Sequence, residues 1–124
     1  MEENLKRLEQ CKTFMGGDND DIPINRDAIS DIQDLVKMVY LNKLPQPEIF
    51  SWAGGIGLQA EWEYKNYYIE VDSNGKNLDL FICEDRDYDK SLNMKIKNIQ
   101  CCFNVVKAIM NGLEPEKGIN EKIK

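Results

Sequence analysis

Between residues 56 and 83 the chain changes polarity at almost every step. Ile56, Leu58, Ala60 and Trp62 alternate with Gly57, Gln59, Glu61 and Glu63. Tyr67, Ile69 and Val71 alternate with Tyr68, Glu70 and Asp72, and Leu78, Leu80 and Ile82 with Asn77, Asp79 and Phe81. Successive side chains of a strand point to opposite faces, so this pattern predicts three strands, each with one apolar and one polar face. A turn around Tyr64-Lys65-Asn66 joins the first two, and Ser73-Asn74-Gly75-Lys76 joins the next two. Asn-Gly between alternating runs is the strongest short hairpin signal. Strands joined so tightly form an antiparallel meander, and its apolar face needs a cover.

The flanking segments have the period that supplies one. Leu5, Leu8, Cys11 and Phe14 or Met15 predict a helix over 3–14, stopped by Gly16-Gly17. Asn25 is a good N-cap for a second helix running to about Asn42, with Ala28, Ile29, Ile32, Leu35, Val36, Val39 and Tyr40 as its apolar stripe. Pro45 and Pro47 force an extended linker into a short strand, Glu48 to Trp52, followed by an Ala53-Gly54-Gly55 turn. After the sheet, Glu84 to Lys90 reads as an acidic loop, while Leu92, Met94 and Ile96 fit either an extended piece or a helix. Asn98 caps a last helix that reaches Met110 and ends at Asn111-Gly112. The expected fold is a single α+β domain over 1–113, in the order α-α-β-β-β-β-α. Its three- to four-stranded antiparallel meander has one face covered by two or three helices, and 114–124 forms a polar tail.

Charge and residue types narrow the function. With 22 acidic and 16 basic residues the net charge is −6, which opposes a phosphate-binding surface. Direct nucleic-acid binding is therefore not expected, even though Tyr64, Tyr67, Tyr68 and Phe81 resemble a stacking platform. No apolar run is long enough for a membrane helix, and the charged start has no secretory pattern, so a cytoplasmic location is expected. There is no histidine, which removes His-based triads and His-containing metal sites. Cys11, Cys83, Cys101 and Cys102 form no CxxC unit and read as reduced, mostly core-filling thiols.

The two acidic loops fail as calcium sites. Counting from Asp18, the fifth and sixth positions are Ile22 and Pro23; counting from Asp85, the sixth and twelfth are Lys90 and Ile96. A calcium loop needs an oxygen ligand, a glycine and a bidentate acid at those places. No cofactor or metal is expected. What remains is a recognition surface: Asp18, Asp20 and Asp21 in the first loop, Asp85, Asp87 and Asp89 in the second, and Glu61, Glu63, Tyr68, Glu70 and Phe81 on the polar face of the sheet. Aromatic anchors within a polar rim suit a protein partner, here one with a basic surface.

Three blocks also resemble a family. Phe14-Met15-Gly16-Gly17-Asp18 stands where small bacterial and phage-associated proteins carry an NWDGYGA-like loop. The stretch Pro47 to Trp62 stands at their PTPDGGIQLEW-type hairpin region, and Tyr68-Ile69-Glu70-Val71 with Asn74-Gly75 at the strand and turn that follow. The PTPDG turn is replaced here by Ser51-Trp52-Ala53-Gly54. The resemblance implies the same topology and a regulator carried by mobile elements; it carries over no catalytic residue and no ligand.

The expected function is a small acidic binding or regulatory protein, such as a phage-encoded inhibitor of a host defence protein. The alternatives are a metal-dependent hydrolase or nuclease using the acidic-loop carboxylates, and a homodimer with a purely structural role.

Overall fold

Asn25 opens the longest helix as its side chain requires. The structure is a computed structural model that describes residues 1–11, 24–51, 57–84 and 87–112, without the side chains of 10, 11 and 87–90. Asn25 Oδ1 accepts from the backbone N–H groups of Asp27 at 2.8 Å and Ala28 at 3.2 Å. That satisfies two donors at the start of α2, Arg26–Leu41, which have no partner within the helix. Asn98 does the same for α3, Ile99–Met110, by accepting from the Cys101 N–H at 2.9 Å. The first helix, α1, spans Glu2–Cys11.

Five strands form one antiparallel sheet in chain order: β1 Glu48–Ser51, β2 Leu58–Tyr64, β3 Tyr67–Ser73, β4 Leu78–Glu84 and β5 Asp87–Ile96. The fifth strand corrects the expected order. Residues 87–90 are not part of a loop, and residues 91–96 are not helical; they pair along β4, with Leu78 opposite Ile96 and Ile82 opposite Leu92. The cause is non-local. Without β5, the far side of β4 would present a row of unpaired backbone groups, and pairing satisfies them whatever the local charge pattern suggests. The ladder slips between Ile82 and Glu84, where β4 meets the acidic start of β5.

One face of the sheet holds the core. Leu58, Ala60, Trp62, Ile69, Val71, Leu80 and Ile82 are buried against Ile32, Leu35 and Val36 of α2 and Cys102, Phe103 and Val106 of α3. Burying each large apolar side chain contributes roughly 1.5–3 kcal/mol, which ties the helices to this face. The α1 helix lies along the β1 edge. Arg7 Nη1 donates to the Ile49 carbonyl at 2.8 Å and Asn4 Nδ2 to the Pro47 carbonyl at 3.0 Å. Two carbonyls of the short edge strand and its entry are thereby engaged, which discourages pairing with another chain.

The β3–β4 hairpin is pinned to the start of α2. Asn74 Oδ1 accepts from the N–H groups of Lys76 and Asn77 at 2.9 and 2.8 Å, and Gly75 takes a φ of 91°. A Cβ at Gly75 would fall on Asn25 Oδ1, the cap of α2. Just below the tip, fully buried Ser73 donates its hydroxyl to Asp31 Oδ2 at 2.9 Å. Burial raises the Asp31 carboxyl above its ordinary range; Ser73 opposes this, and Asp34 and Asp27 add to it.

Cys83, Cys101 and Cys102 are free, and burial pushes the Cys102 thiol up to about 12, with smaller effects from Asp31 and Cys101. Cys102 is therefore an unreactive core filler. Among the described residues, no helix is long and apolar enough to cross a membrane.

Candidate functional site

The sheet register sorts the polar face into rows. Glu48, Glu61, Glu70, Phe81 and Asn93 stand side by side across β1 to β5, and Phe50, Gln59, Asp72, Asp79 and Lys95 form the next row. Glu63 and Tyr68 face each other in a third. Among the described residues, Glu48 opposes Glu61 and Glu61 opposes Glu70 as like charges, and Asp72 opposes Asp79 as a further pair of acids. Like charges directly opposite on one face destabilise a sheet. The fold does not need them.

The centre of the face is partly desolvated. Tyr68 donates its hydroxyl to Glu70 Oε1 at 2.7 Å, and its ring meets Phe81 edge-on, with centroids 6.1 Å apart and planes at 65°. Burial, then hydrogen bonding to Glu70 and Glu61, holds the Tyr68 phenol protonated far above its usual range. Asp72 stands two residues further along β3, on the same face. Its Oδ1 is buried and, among the described residues, accepts no hydrogen bond. Burial first, then the hydrogen bond to Glu70 and its charge, push the Asp72 carboxyl up to about 8; Gln59 opposes this, and Asp79 adds a smaller upward push.

A cleft opens at one end of the face because β1 stops short of β2. Pairing begins at Glu48 opposite Glu61, so Trp62, Glu63 and Tyr64 run on past the end of β1. The preceding segment contains Pro45 and Pro47, which have no N–H for a ladder. Trp62 Nε1 donates to the Pro45 carbonyl at 2.8 Å, and Gln46 Nε2 to the Val36 carbonyl at 3.2 Å, so the wall is tied to the core. The resulting cleft of about 400 Å³ is lined by Pro45, Gln46, Glu48, Glu61, Trp62, Glu63 and Tyr68.

Five of the residues expected at a recognition surface, Glu61, Glu63, Tyr68, Glu70 and Phe81, share this face. Asp18, Asp20, Asp21 and Asp85 lie outside the described residues. Asp87 and Asp89 belong to β5 instead of a loop. Sequence reading does not single out Glu48, Gln59 and the Pro45-Gln46 wall as site residues. Counting parity back along β1 marks Glu48 as a polar-face residue, but only the register sets it against Glu61. Asp72 and Asp79 are legible as polar-face residues, but not as a facing pair.

The arrangement offers an anionic surface with tyrosine and phenylalanine at its centre. Among the described residues, no group of three or more Cys, Asp or Glu side chains is placed to hold a metal ion. No family model, no curated protein and no solved structure matches this chain.

Proposed function

We propose that this chain is a small binding protein that docks a basic surface of another protein on the outer face of its sheet. The observation that carries this reading is the row Glu48, Glu61 and Glu70, in which like charges stand directly opposite one another at a cost to the isolated fold, beside a ready-made cleft. An arginine or lysine entering beside Glu48 and Glu61 relieves their repulsion, and Pro45, Glu63 and Tyr68 wall the cleft. Tyr68 and Phe81 then act as the aromatic anchors beside it. The resemblance to proteins of mobile elements agrees with a regulatory role of this kind, with inhibition of a defence protein as its most specific form.

The test compares two variants carrying the same change of charge. One converts Glu48, Glu61 and Glu63 to Gln; the other converts Glu3, Asp27 and Asp34, on the helices, to Gln or Asn. A nona-arginine peptide labelled for fluorescence anisotropy is the probe. Saturable binding that survives the helix variant and is lost in the face variant is the expected result. Equal losses in both would reduce the interaction to net charge and end the proposal.

A further inference from the structure

We propose that docking of a basic partner on the outer face is coupled to the release of one proton that Asp72 holds against Glu70. This deepens the reading above and rests on it, because the partner's positive charge is what displaces the proton.

The argument begins with what surrounds Asp72. On its own strand Glu70 shares its face, with Tyr68 beyond. From β2 the opposing residue is Gln59, with Glu61 beside it. From β4 the opposing residue is Asp79, and Lys95 of β5 stands one strand further, opposite Asp79. From β1, Phe50 faces Gln59 and Glu48 faces Glu61. Among the described residues, the helices pack on the other side of the sheet, where the core lies.

Such surroundings do not suit an ionised carboxylate. Two acids flank Asp72, a third lies diagonally across, and among the described residues its buried Oδ1 is offered no donor; the hydrogen bond from Gln59 opposes these effects without cancelling them. Keeping the proton resolves this: the neutral carboxyl donates to Glu70, whose Oε1 already accepts from Tyr68. Two carboxyl groups in contact then share one negative charge in place of two, the usual outcome for acids forced together. Burial first, and then this contact with Glu70, raise the Asp72 carboxyl.

A partner whose basic surface extends past the cleft, over Glu70, Asp72 and Asp79, reverses the preference. It favours the ionised form, so the Asp72 O–H bond breaks, the proton passes to solvent, and Tyr68 keeps its own bond to Glu70. Linkage makes the effect reciprocal: whatever lowers the Asp72 carboxyl on binding must raise partner affinity with pH by the same factor. Affinity therefore climbs as pH approaches about 8, the value for Asp72 in the free protein, and levels off above it.

The experiment uses the full chain. Carbon-detected NMR follows the Asp and Glu carboxyl carbons of the free protein through a pH titration. Calorimetry at about pH 7 then measures nona-arginine binding in two buffers of different ionisation enthalpy, which counts the protons released. The expected result is an Asp72 midpoint near 8 and close to one proton released. In Asp72→Asn the peptide still binds but the release disappears, and in Asp79→Asn the Asp72 midpoint falls. An ordinary Asp72 midpoint overturns the shared proton, and does so with the docking reading intact if the peptide binds. A raised midpoint with buffer-independent heats overturns the coupling alone. Absence of saturable binding overturns both the docking reading and the coupling.

Discussion

Asp31 and Asp72 approach the same strand from opposite sides. Asp31 reaches from α2 to the hydroxyl of Ser73 on the core face, while Asp72, the residue before Ser73, points to the outer face. Burial raises both carboxyls. On the core side the fold supplies a buried hydroxyl, and Asp31 Oδ2 accepts from it at 2.9 Å. On the outer side it supplies Glu70 and Asp79, opposes them with a hydrogen bond from Gln59, and among the described residues leaves Asp72 Oδ1 without a donor. The difference separates an acid tied into the fold by a buried hydroxyl from one surrounded by other acids. An acid given a buried hydroxyl can stay ionised at little cost, whereas one set against other acids is costly to ionise.

The core side of the comparison breaks most severely at Gly75. An alanine there meets a backbone φ of 91° that L residues rarely adopt, and its Cβ lands on Asn25 Oδ1. The hairpin tip must withdraw from α2 or the α2 cap must be given up, and both loosen the Asp31–Ser73 contact. Gly75→Ala is expected to cost about 3 kcal/mol, summing the left-handed strain and the lost cap, as read by urea unfolding. A loss below about 1 kcal/mol would mean that the tip and helix are not locked together.

A gentler break leaves the hairpin in place. Ser73→Ala removes the donor from Asp31 without changing the backbone, and about 1–2 kcal/mol of stability should go with it. In that variant Asp31 resembles Asp72, an acid near the sheet without a hydroxyl partner. Its carboxyl should move further up, because the effect that lowers it is gone while burial, Asp34 and Asp27 remain. An NMR titration that finds Asp31 unmoved would show that Ser73 does not serve it.

Much of this architecture is legible in the amino-acid sequence, because its signals are local. The caps Asn25 and Asn98, the Asn74-Gly75 turn and the alternating faces of β2, β3 and β4 follow from neighbours within a few residues. The fifth strand is illegible for the opposite reason. Asp87, Asp89 and Lys90 have the composition of a loop, and only the vacant edge of β4 makes them a strand. The candidate site divides the same way. Parity alone places Glu61, Tyr68, Glu70 and Phe81 on one face, yet the opposition of Asp79 to Asp72 depends on the register between β3 and β4. The cleft depends on where β1 stops, a consequence of two prolines acting on a partner strand far along the chain.

The outer side should respond to mutation in the reverse sense. Asp72→Asn keeps the shape, offers Glu70 an N–H donor, and removes the charge that the face accommodates poorly. It is expected to stabilise the protein by about 1 kcal/mol at pH 8, a modest figure because the group is half in solvent, where screening cuts such effects. The pH dependence has a definite sign. The folded Asp72 carboxyl lies near 8 and the unfolded one near an ordinary 4, so between those values the folded state holds a proton that the unfolded chain has released. Asp72 therefore contributes stability that is full below about pH 4 and is lost as pH rises through about 8. Melting temperatures of the wild type and Asp72→Asn should agree at the acid end and part progressively toward pH 8, the variant melting higher. Parallel curves across that range would place Asp72 among ordinary surface acids.

The smallest effect tests whether the outer face is rigid enough to hold its carboxylates in register. Glu63 faces Tyr68 beside the turn that joins β2 to β3, where Tyr64 pairs with Tyr67 across Lys65 and Asn66. Lys65 has a φ of 54°, a left-handed conformation that costs a side-chain-bearing residue about 1 kcal/mol and glycine almost nothing. The Lys65 ammonium recovers part of that by standing 5.4 Å from the Tyr64 ring centroid. Lys65→Gly should relieve the strain, lose the ring contact and gain unfolded-chain entropy, for a net change within about 0.5 kcal/mol in either direction. Because the turn sets the β2–β3 register, the opposition of Glu61 to Glu70 should survive, and with it the Asp72 titration midpoint. If that midpoint drops toward the ordinary carboxylate range in Lys65→Gly, the raised Asp72 carboxyl depends on a strained turn as well as on the acids around it.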